Sequence, residues 1–335
     1  MNNKMTDKTV VVTCAASESV RKGVEKGLDG AGKAVFLDDV PAERRAAALS
    51  SAAVIMSFFF NKEVREEEYV LLEDVELFQS ISTGLDFLPF RLMPQKMILA
   101  CNAGGWAPQI AEHTVALLLA LTRRIVPLHN DLVKGVFGRH SYSPASLRGK
   151  VLTVVGYGGI GRRTADLLRA FGIKIYALNT SGRTNDDVHF MGTLKELPEI
   201  LPETDVLLLS IPLDKHTKGL IGKRELDLMK KNAILLNVAR APLVVEEDLY
   251  NHLKANPEFQ AGFDVWWKEP TWGGGDFVLD HPFLDLPNVV GSPHNSNRCE
   301  NDMENAVMAA AANVAAFFSG EKISGVIRRE DYIED

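Results

Sequence analysis

Short apolar, β-branched runs alternate with amphipathic stretches along most of this chain, the pattern of strands buried on both faces with helices laid over them. Residues 9–13 (TVVVT), 34–38, 54–60, 77–80 and 97–100 predict five strands, with helices over 19–28 and 42–49 between the first three. A longer helix is predicted over 111–121, with Ile110 and Val115 on its apolar face. Arg123 and Arg124 cut its apolar run short, so it suits a core helix and not a membrane span. Beyond it, strands over 150–155, 173–178, 206–210, 234–238, 260–264 and 289–291 alternate with helices. One of these covers 162–171, with Ala165, Leu168 and Phe171 on one face. An alanine-rich helix over 303–318 is placed to return the chain to its first domain, leaving one domain inserted within the other. The alternation predicts two α/β domains.

Between the strand at 150–155 and the helix that follows stands Gly156-Tyr157-Gly158-Gly159-Ile160-Gly161. A GxGxxG pattern alone is common, but strand, glycine turn and helix in succession point to a dinucleotide site. Gly156 permits the tight turn, Gly158 lets the backbone approach a pyrophosphate, and Gly161 lets the helix pack on the strand with its first amides facing the anion. At the end of the next strand, an NAD-specific fold places an acid on the ribose 2′-hydroxyl. This chain has Asn179-Thr180-Ser181-Gly182-Arg183 there. No carboxylate repels a 2′-phosphate, and the hydroxyls of Thr180 and Ser181 and the guanidinium of Arg183 suit one. NADP(H) is therefore favoured, with NAD(H) possible. The plainer alternative is a polar surface loop.

The net charge of −7 offers no basic stripe for nucleic acid. Cys14, Cys101 and Cys299 are too scattered for a disulfide framework or a zinc site, so no metal is expected. Residues 1–8 are polar, which argues against a signal peptide and leaves the cytoplasm as the expected compartment, with no membrane partner.

Arg240, Glu269 and His294 each follow the end of a predicted strand, where ligands bind on such sheets. Singly, each has a structural explanation: a surface cation, a solvated acid, a histidine after proline. Together they supply a cation for a carboxylate, an acid to tune an imidazole, and an imidazole to move a proton. Reversible reduction of a 2-keto acid needs those groups.

The chain resembles the D-isomer-specific 2-hydroxyacid dehydrogenases, in particular glyoxylate and hydroxypyruvate reductases. The likeness is carried by Thr83-Gly84-Leu85-Asp86, Ala111-Glu112-His113, Leu147-Arg148-Gly149-Lys150 before the glycine turn, Pro212-Leu213 with Thr217, Asn237-Val238-Ala239-Arg240, Phe263-Asp264-Val265 with Glu269-Pro270, and Ser292-Pro293-His294. The resemblance implies a Rossmann doubly wound parallel sheet, residues 102–295, inserted in a smaller flavodoxin-like α/β substrate domain, residues 1–101 and 296–335. It also implies homodimers formed through the cofactor domains. Arg240 would hold the substrate carboxylate with help from backbone amides around Thr83 and Gly84. His294 would protonate the carbonyl oxygen, and Glu269 would orient the imidazole and favour its charged form. Asp264 would bind the nicotinamide carboxamide, Ile211 and Pro212 would line the adenosine side together with Thr217, and the backbone near Val238 would meet the nicotinamide end.

Ala241 stands where the family often has glycine, Asn295-Ser296-Asn297 departs from the residues usual after the histidine, and the loop 271–277 looks long. Glutamine replaces Glu269 in the superfamily's formate dehydrogenases, and lysine replaces Thr83 in its phosphite dehydrogenases, so neither activity is expected here. Phosphoglycerate dehydrogenase-like activity stays open, as does a dinucleotide-binding corepressor scaffold. Met56-Ser57-Phe58-Phe59-Phe60 and Trp106 could wall an apolar pocket, with Trp266 or Trp267 nearby. Small acids such as glyoxylate and hydroxypyruvate, or bulkier ones such as phenylpyruvate, all fit that description.

Overall fold

The computed structural model describes residues 8–270 and 274–333, whose strands form two wholly parallel sheets. The fold is α/β, divided into one compact unit made of residues 1–106 and 299–335 and a second, 107–298, that interrupts it in sequence. These divisions lie a few residues beyond 101/102 and 295/296. Asn102 explains the first: its side-chain amide donates to the carbonyls of Ile81 (3.0 Å) and Ala306 (2.8 Å). The Trp106 indole also donates to Ile81 (2.7 Å), so 102–106 is fastened to the first unit.

The first unit holds β1 (Thr9–Val12), β2 (Lys33–Phe36), β3 (Val54–Ser57), β4 (Leu77–Ser80) and β5 (Ile98–Ala100), in the order β2-β1-β3-β4-β5. β1, β3 and β4 are buried at every position, their apolar residues together with Thr9, Ser57, Gln79 and Ser80. The strand expected over 54–60 stops at Ser57. Glu63 causes the turn: its carboxylate accepts the Phe58 and Phe59 amides (3.2 and 2.7 Å) and the hydroxyls of Thr13 and Ser57 (2.7 Å each). Phe60 therefore starts a short helix and is buried in the core, while Phe58 and Phe59 stay partly exposed.

The helix Glu18–Leu28 starts at Ser17, whose hydroxyl accepts the Val20 amide (3.3 Å). It packs against the alanine-rich helix Asp302–Phe318, which thus belongs to the same unit. A Cβ on Gly23 would lie 2.7 Å from the Glu304 carbonyl oxygen, and one on Gly27 would lie 2.3 Å from that of Met308. Glycine at these two positions, one turn apart, allows the backbones to meet.

In the second unit, β6 (Val151–Val155), β7 (Lys174–Leu178), β8 (Phe190–Gly192), β9 (Val206–Leu209), β10 (Ile234–Asn237), β11 (Gln260–Phe263) and β12 (Val289–Gly291) lie in the order β12-β11-β10-β9-β6-β7-β8. The order reverses direction between β6 and β9, and the crevice at such a switch point, at the carboxyl ends of the strands, is where this architecture takes ligands. The helix after β6 runs Gly159–Arg169. It stops before Phe171, which is exposed instead of sharing a face with the buried Ala165 and Leu168. β8, three residues long at the sheet edge, and the helix Ile125–Val133, with Pro127 in its first turn, are not among the elements read from the sequence. Among the described residues, no helix is long and apolar enough to cross a membrane.

Gly27→Val is expected to destabilise the first unit by about 1–3 kcal/mol, because the nearest atom is backbone and cannot swing aside. Thermal unfolding followed by circular dichroism measures this, and an unchanged midpoint would contradict the close packing of the two helices.

Candidate active site

The glycines of the turn after β6 have separate reasons to be there. Gly156 has φ +95°, and a Cβ on it would lie 2.4 Å from the Ser210 carbonyl oxygen. A Cβ on Gly161 would lie 2.5 Å from the Gly156 oxygen and 2.6 Å from Val154 Cγ1. Nothing lies within 4 Å of a Cβ built on Gly158, so its glycine is not demanded by the protein's own packing. The open space stands at the N-terminus of the helix Gly159–Arg169, where the amides of Gly159, Ile160 and Gly161 have no intrahelical acceptor. A pyrophosphate fits such a place by charge and by geometry.

Ser210 Oγ donates to the Gly156 carbonyl (3.0 Å), tying the turn after β6 to the turn after β9. The latter presents a half-buried Ile211 and an exposed Pro212. Thr217, expected on the cofactor, is buried; its hydroxyl donates to the Pro212 carbonyl (2.8 Å) and accepts the Asp214 amide (2.9 Å), and so shapes this loop from within.

After β7, Asn179 Oδ1 accepts the amides of Ser181 (3.0 Å) and Gly182 (2.8 Å), and its Nδ2 donates to the Arg183 carbonyl (3.0 Å). Asn179 therefore folds the loop around itself. Thr180, Ser181 and Arg183 are exposed on it, and Arg183 makes no ion pair among the described residues.

Arg240 is held by Asn237, the buried last residue of β10. Its Nδ2 donates to the Arg240 carbonyl (2.9 Å) and its Oδ1 accepts the Ala239 amide (3.1 Å), fixing the turn through the buried Val238. The half-buried guanidinium donates to the Ala239 carbonyl (2.7 Å). Ala241 is itself buried at the start of the next turn, at a place where an alanine side chain packs without difficulty.

Glu269 and His294 meet at 2.6 Å, Oε2 to Nδ1, while Glu269 Oε1 accepts the Trp266 amide (2.8 Å). Burial pushes the Glu269 carboxyl up. The His294 hydrogen bond and charge, the Trp266 amide and the Arg240 guanidinium outweigh it and leave the carboxyl below its ordinary value. An ionised carboxylate only accepts, so His294 Nδ1 carries the hydrogen and Nε2 is the ring nitrogen left to exchange a proton.

His294 has φ +51°, an unfavourable conformation for a residue with a side chain. Asp264 holds it from both sides: Oδ1 accepts the Ser292 hydroxyl (2.6 Å) and the Asn295 amide (3.0 Å), and Oδ2 accepts the Ser296 amide (3.0 Å). Asp264 has no exposed surface, and both its oxygens serve this segment. His113 Nε2 lies 2.7 Å from Ser292 Oγ, and the Trp266 indole donates to the Ser292 carbonyl (2.8 Å). Gly291 makes room for that indole, since a Cβ there would lie 2.3 Å from Trp266 Cζ2. Sequence reasoning missed Asn237 and Ser292 as supports. An asparagine closing a strand before a tight turn was the available signal for the first.

Of the loop 271–277, residues 271–273 lie outside the described residues; Phe277 packs edge-on against Trp266 (5.3 Å between ring centres). Thr83 and Gly84 lie in the first unit on the turn after β4, both partly exposed.

Residues 115–296 match the family described as D-isomer specific 2-hydroxyacid dehydrogenase, NAD binding domain. A glycerate dehydrogenase of Methylorubrum extorquens is 33% identical over 257 residues, 75% of this chain and 78% of that protein. A glyoxylate reductase of Aeropyrum pernix is 30% identical over 76% of this chain and 77% of its own length. Among solved structures, a glycerate dehydrogenase related protein from Thermoplasma acidophilum superposes with a TM-score of 0.63 at 30% identity, covering 92% of this chain and 99% of that one.

The depressed Glu269 carboxyl carries a stability signature. A group whose folded value lies below its unfolded value of about 4.5 contributes stability that is fully present above that value and is lost as pH falls through the folded value. Glu269→Gln is expected to lower stability at neutral pH and to flatten its decline on acidification. Urea titrations of both proteins from neutral pH down to about pH 3 measure this, and parallel pH profiles would exclude the coupling.

Proposed function

This chain belongs to the D-isomer specific 2-hydroxyacid dehydrogenases, oxidoreductases that use a nicotinamide dinucleotide, and from that premise we propose how its own residues act and on what. It reduces a 2-keto acid to the D-2-hydroxy acid, and catalyses the reverse, in the cytoplasm. The observation that carries the assignment of roles is the 2.6 Å contact of His294 Nδ1 with a Glu269 carboxylate held ionised. Glu269 stabilises the imidazolium and fixes its plane, and His294 Nε2 gives its proton to the carbonyl oxygen or takes it back from the hydroxyl. Arg240 pairs with the substrate carboxylate and orients it, its turn set by Asn237. The bound nicotinamide supplies or accepts the hydride. Gly158 and the amides of Gly159, Ile160 and Gly161 would hold its pyrophosphate, and Ile211 and Pro212 its adenosine side. The relatives' names favour small acids, so glyoxylate and hydroxypyruvate are the substrates to try first.

NADP(H) is the preferred carrier on this reading. Asn179 is consumed in shaping its loop and offers no repulsive acid, leaving Thr180, Ser181 and Arg183 for a 2′-phosphate. The working form is a homodimer. The helix Ile125–Val133 and the segment after it expose Ile125, Leu132, Val133, Val136 and Phe137, the last at 74%, an apolar face of the kind a second copy covers.

A panel of 2-keto acids followed by NADPH absorbance tests the activity, and no substrate-dependent oxidation with any of them would reject it. Arg240→Lys is expected to lower kcat/KM while leaving NADPH binding near wild type, since lysine lacks the planar fork. Arg183→Ala should raise KM for NADPH far more than for NADH, by a factor equivalent to about 1.5–3 kcal/mol. An equal effect on both coenzymes would remove the loop from cofactor choice. Light scattering should give about twice the 36.9 kDa chain mass, falling to one chain for Phe137→Asp; a monomeric wild type rules out the dimer.

A further inference from the structure

The carboxyl ends of the second sheet carry the catalytic groups, and at the amino ends of β6, β9, β10 and β11 lies a separate cavity of about 400 Å³. That volume is in the range of small-molecule sites. Part of its wall is self-satisfied: Asp205 is bonded by Lys150 (3.1 Å), Lys230 (3.0 Å) and the Val151 amide (2.9 Å). Three other lining groups are not. Gln260, the first residue of β11, is only 6% exposed, yet its side-chain amide has no hydrogen-bond partner among the described residues and its Oε1 is fully enclosed. Buried amides are nearly always bonded. Arg124 is half-buried, its side chain makes no hydrogen bond or ion pair among the described residues, and its backbone is left-handed, with φ +54°. Glu258 also lines the cavity, near enough for its charge to act on the Arg124 guanidinium, but the two make no direct ion pair among the described residues.

A cation and a carboxylate that face one cavity without touching, and an unbonded amide beside them, suit a ligand that carries the complement of each and bridges the pair. A plain anion would answer Arg124 and meet Glu258 as a like charge. We propose that this cavity binds a small zwitterion of the α-amino acid class, its carboxylate paired with Arg124, its ammonium directed to Glu258, and Gln260 bonded to one of its polar groups. The bidentate geometry of a guanidinium suits a carboxylate. The site uses none of the catalytic residues, so it holds or fails apart from the proposed activity.

Isothermal titration of the full chain with serine tests it. Saturable one-to-one binding is expected, weakened by about tenfold or more in Arg124→Gly, as loss of a charge-assisted bond implies, and several-fold in Gln260→Leu. Glycine suits the left-handed backbone at 124, so Arg124→Gly removes the guanidinium without straining the turn. An unchanged thermal midpoint and unchanged NADPH binding verify that the variants are folded. Glycerol, which has no charge, and inorganic phosphate, which has no ammonium, should not compete. Absence of saturable serine binding, equal affinity in both variants, or displacement by phosphate as effective as by serine would each overturn the proposal.

Discussion

The buried carboxylate of Asp264 holds the rest of the site together. Burying an acid is costly unless its oxygens are bonded, and here the donors all come from one short segment: the Ser292 hydroxyl and the amides of Asn295 and Ser296. Those bonds stand on both sides of His294, so they offset the cost of its left-handed backbone and aim its ring at Glu269. Without this grip the segment could relax to an ordinary conformation, and the imidazole would turn away from its partner. In the proposed chemistry Asp264 thus acts through another residue.

Strand-end placement then does the assembling. Arg240 follows β10, Asp264 follows β11 and His294 follows β12, three adjacent parallel strands, so side chains far apart in sequence emerge from one edge of one sheet. Two of these turns are closed by a short polar side chain that bonds backbone: Asn237, the last residue of β10, closes the turn after that strand, and Asp264 closes the turn after β12. Trp266 adds a rigid cover, its indole bonded to the Ser292 carbonyl and its ring seated over Gly291. Loops supply the functional groups, and the buried polar residues at the strand ends limit how those loops can move.

Most of the framework was legible because it depends on features that repeat. Short apolar runs gave the strands to within a residue or so at positions such as 77–80 and 289–291, and the glycine turn stands between strand and helix as its pattern required. Failures came where one tertiary contact overrides a local pattern. Phe58-Phe59-Phe60 continues an apolar strand by propensity, but the Glu63 carboxylate captures two of its amides and turns the chain. Phe171 fits the helical period yet falls after the helix has ended. The trio itself could be named because its members carry charge. The inward bonds of Asp264 and Thr217 could not be read, since an acid or hydroxyl bonded inward looks like any other in a sequence.

The departures from the family pattern become intelligible on the same grounds. Positions 295 and 296 contribute backbone amides to Asp264, and an amide is supplied by any residue except proline. Asparagine and serine there leave the clamp intact. Ala241 occupies a turn whose shape is set by Asn237, which bonds the carbonyl of the preceding Arg240, so an added methyl is tolerated. By contrast the roles proposed for Arg240, Glu269 and His294 use side-chain atoms that no backbone group can replace. A difference at a backbone-using position therefore says little about activity, whereas a difference at any of those three would have changed the chemistry assigned to the chain.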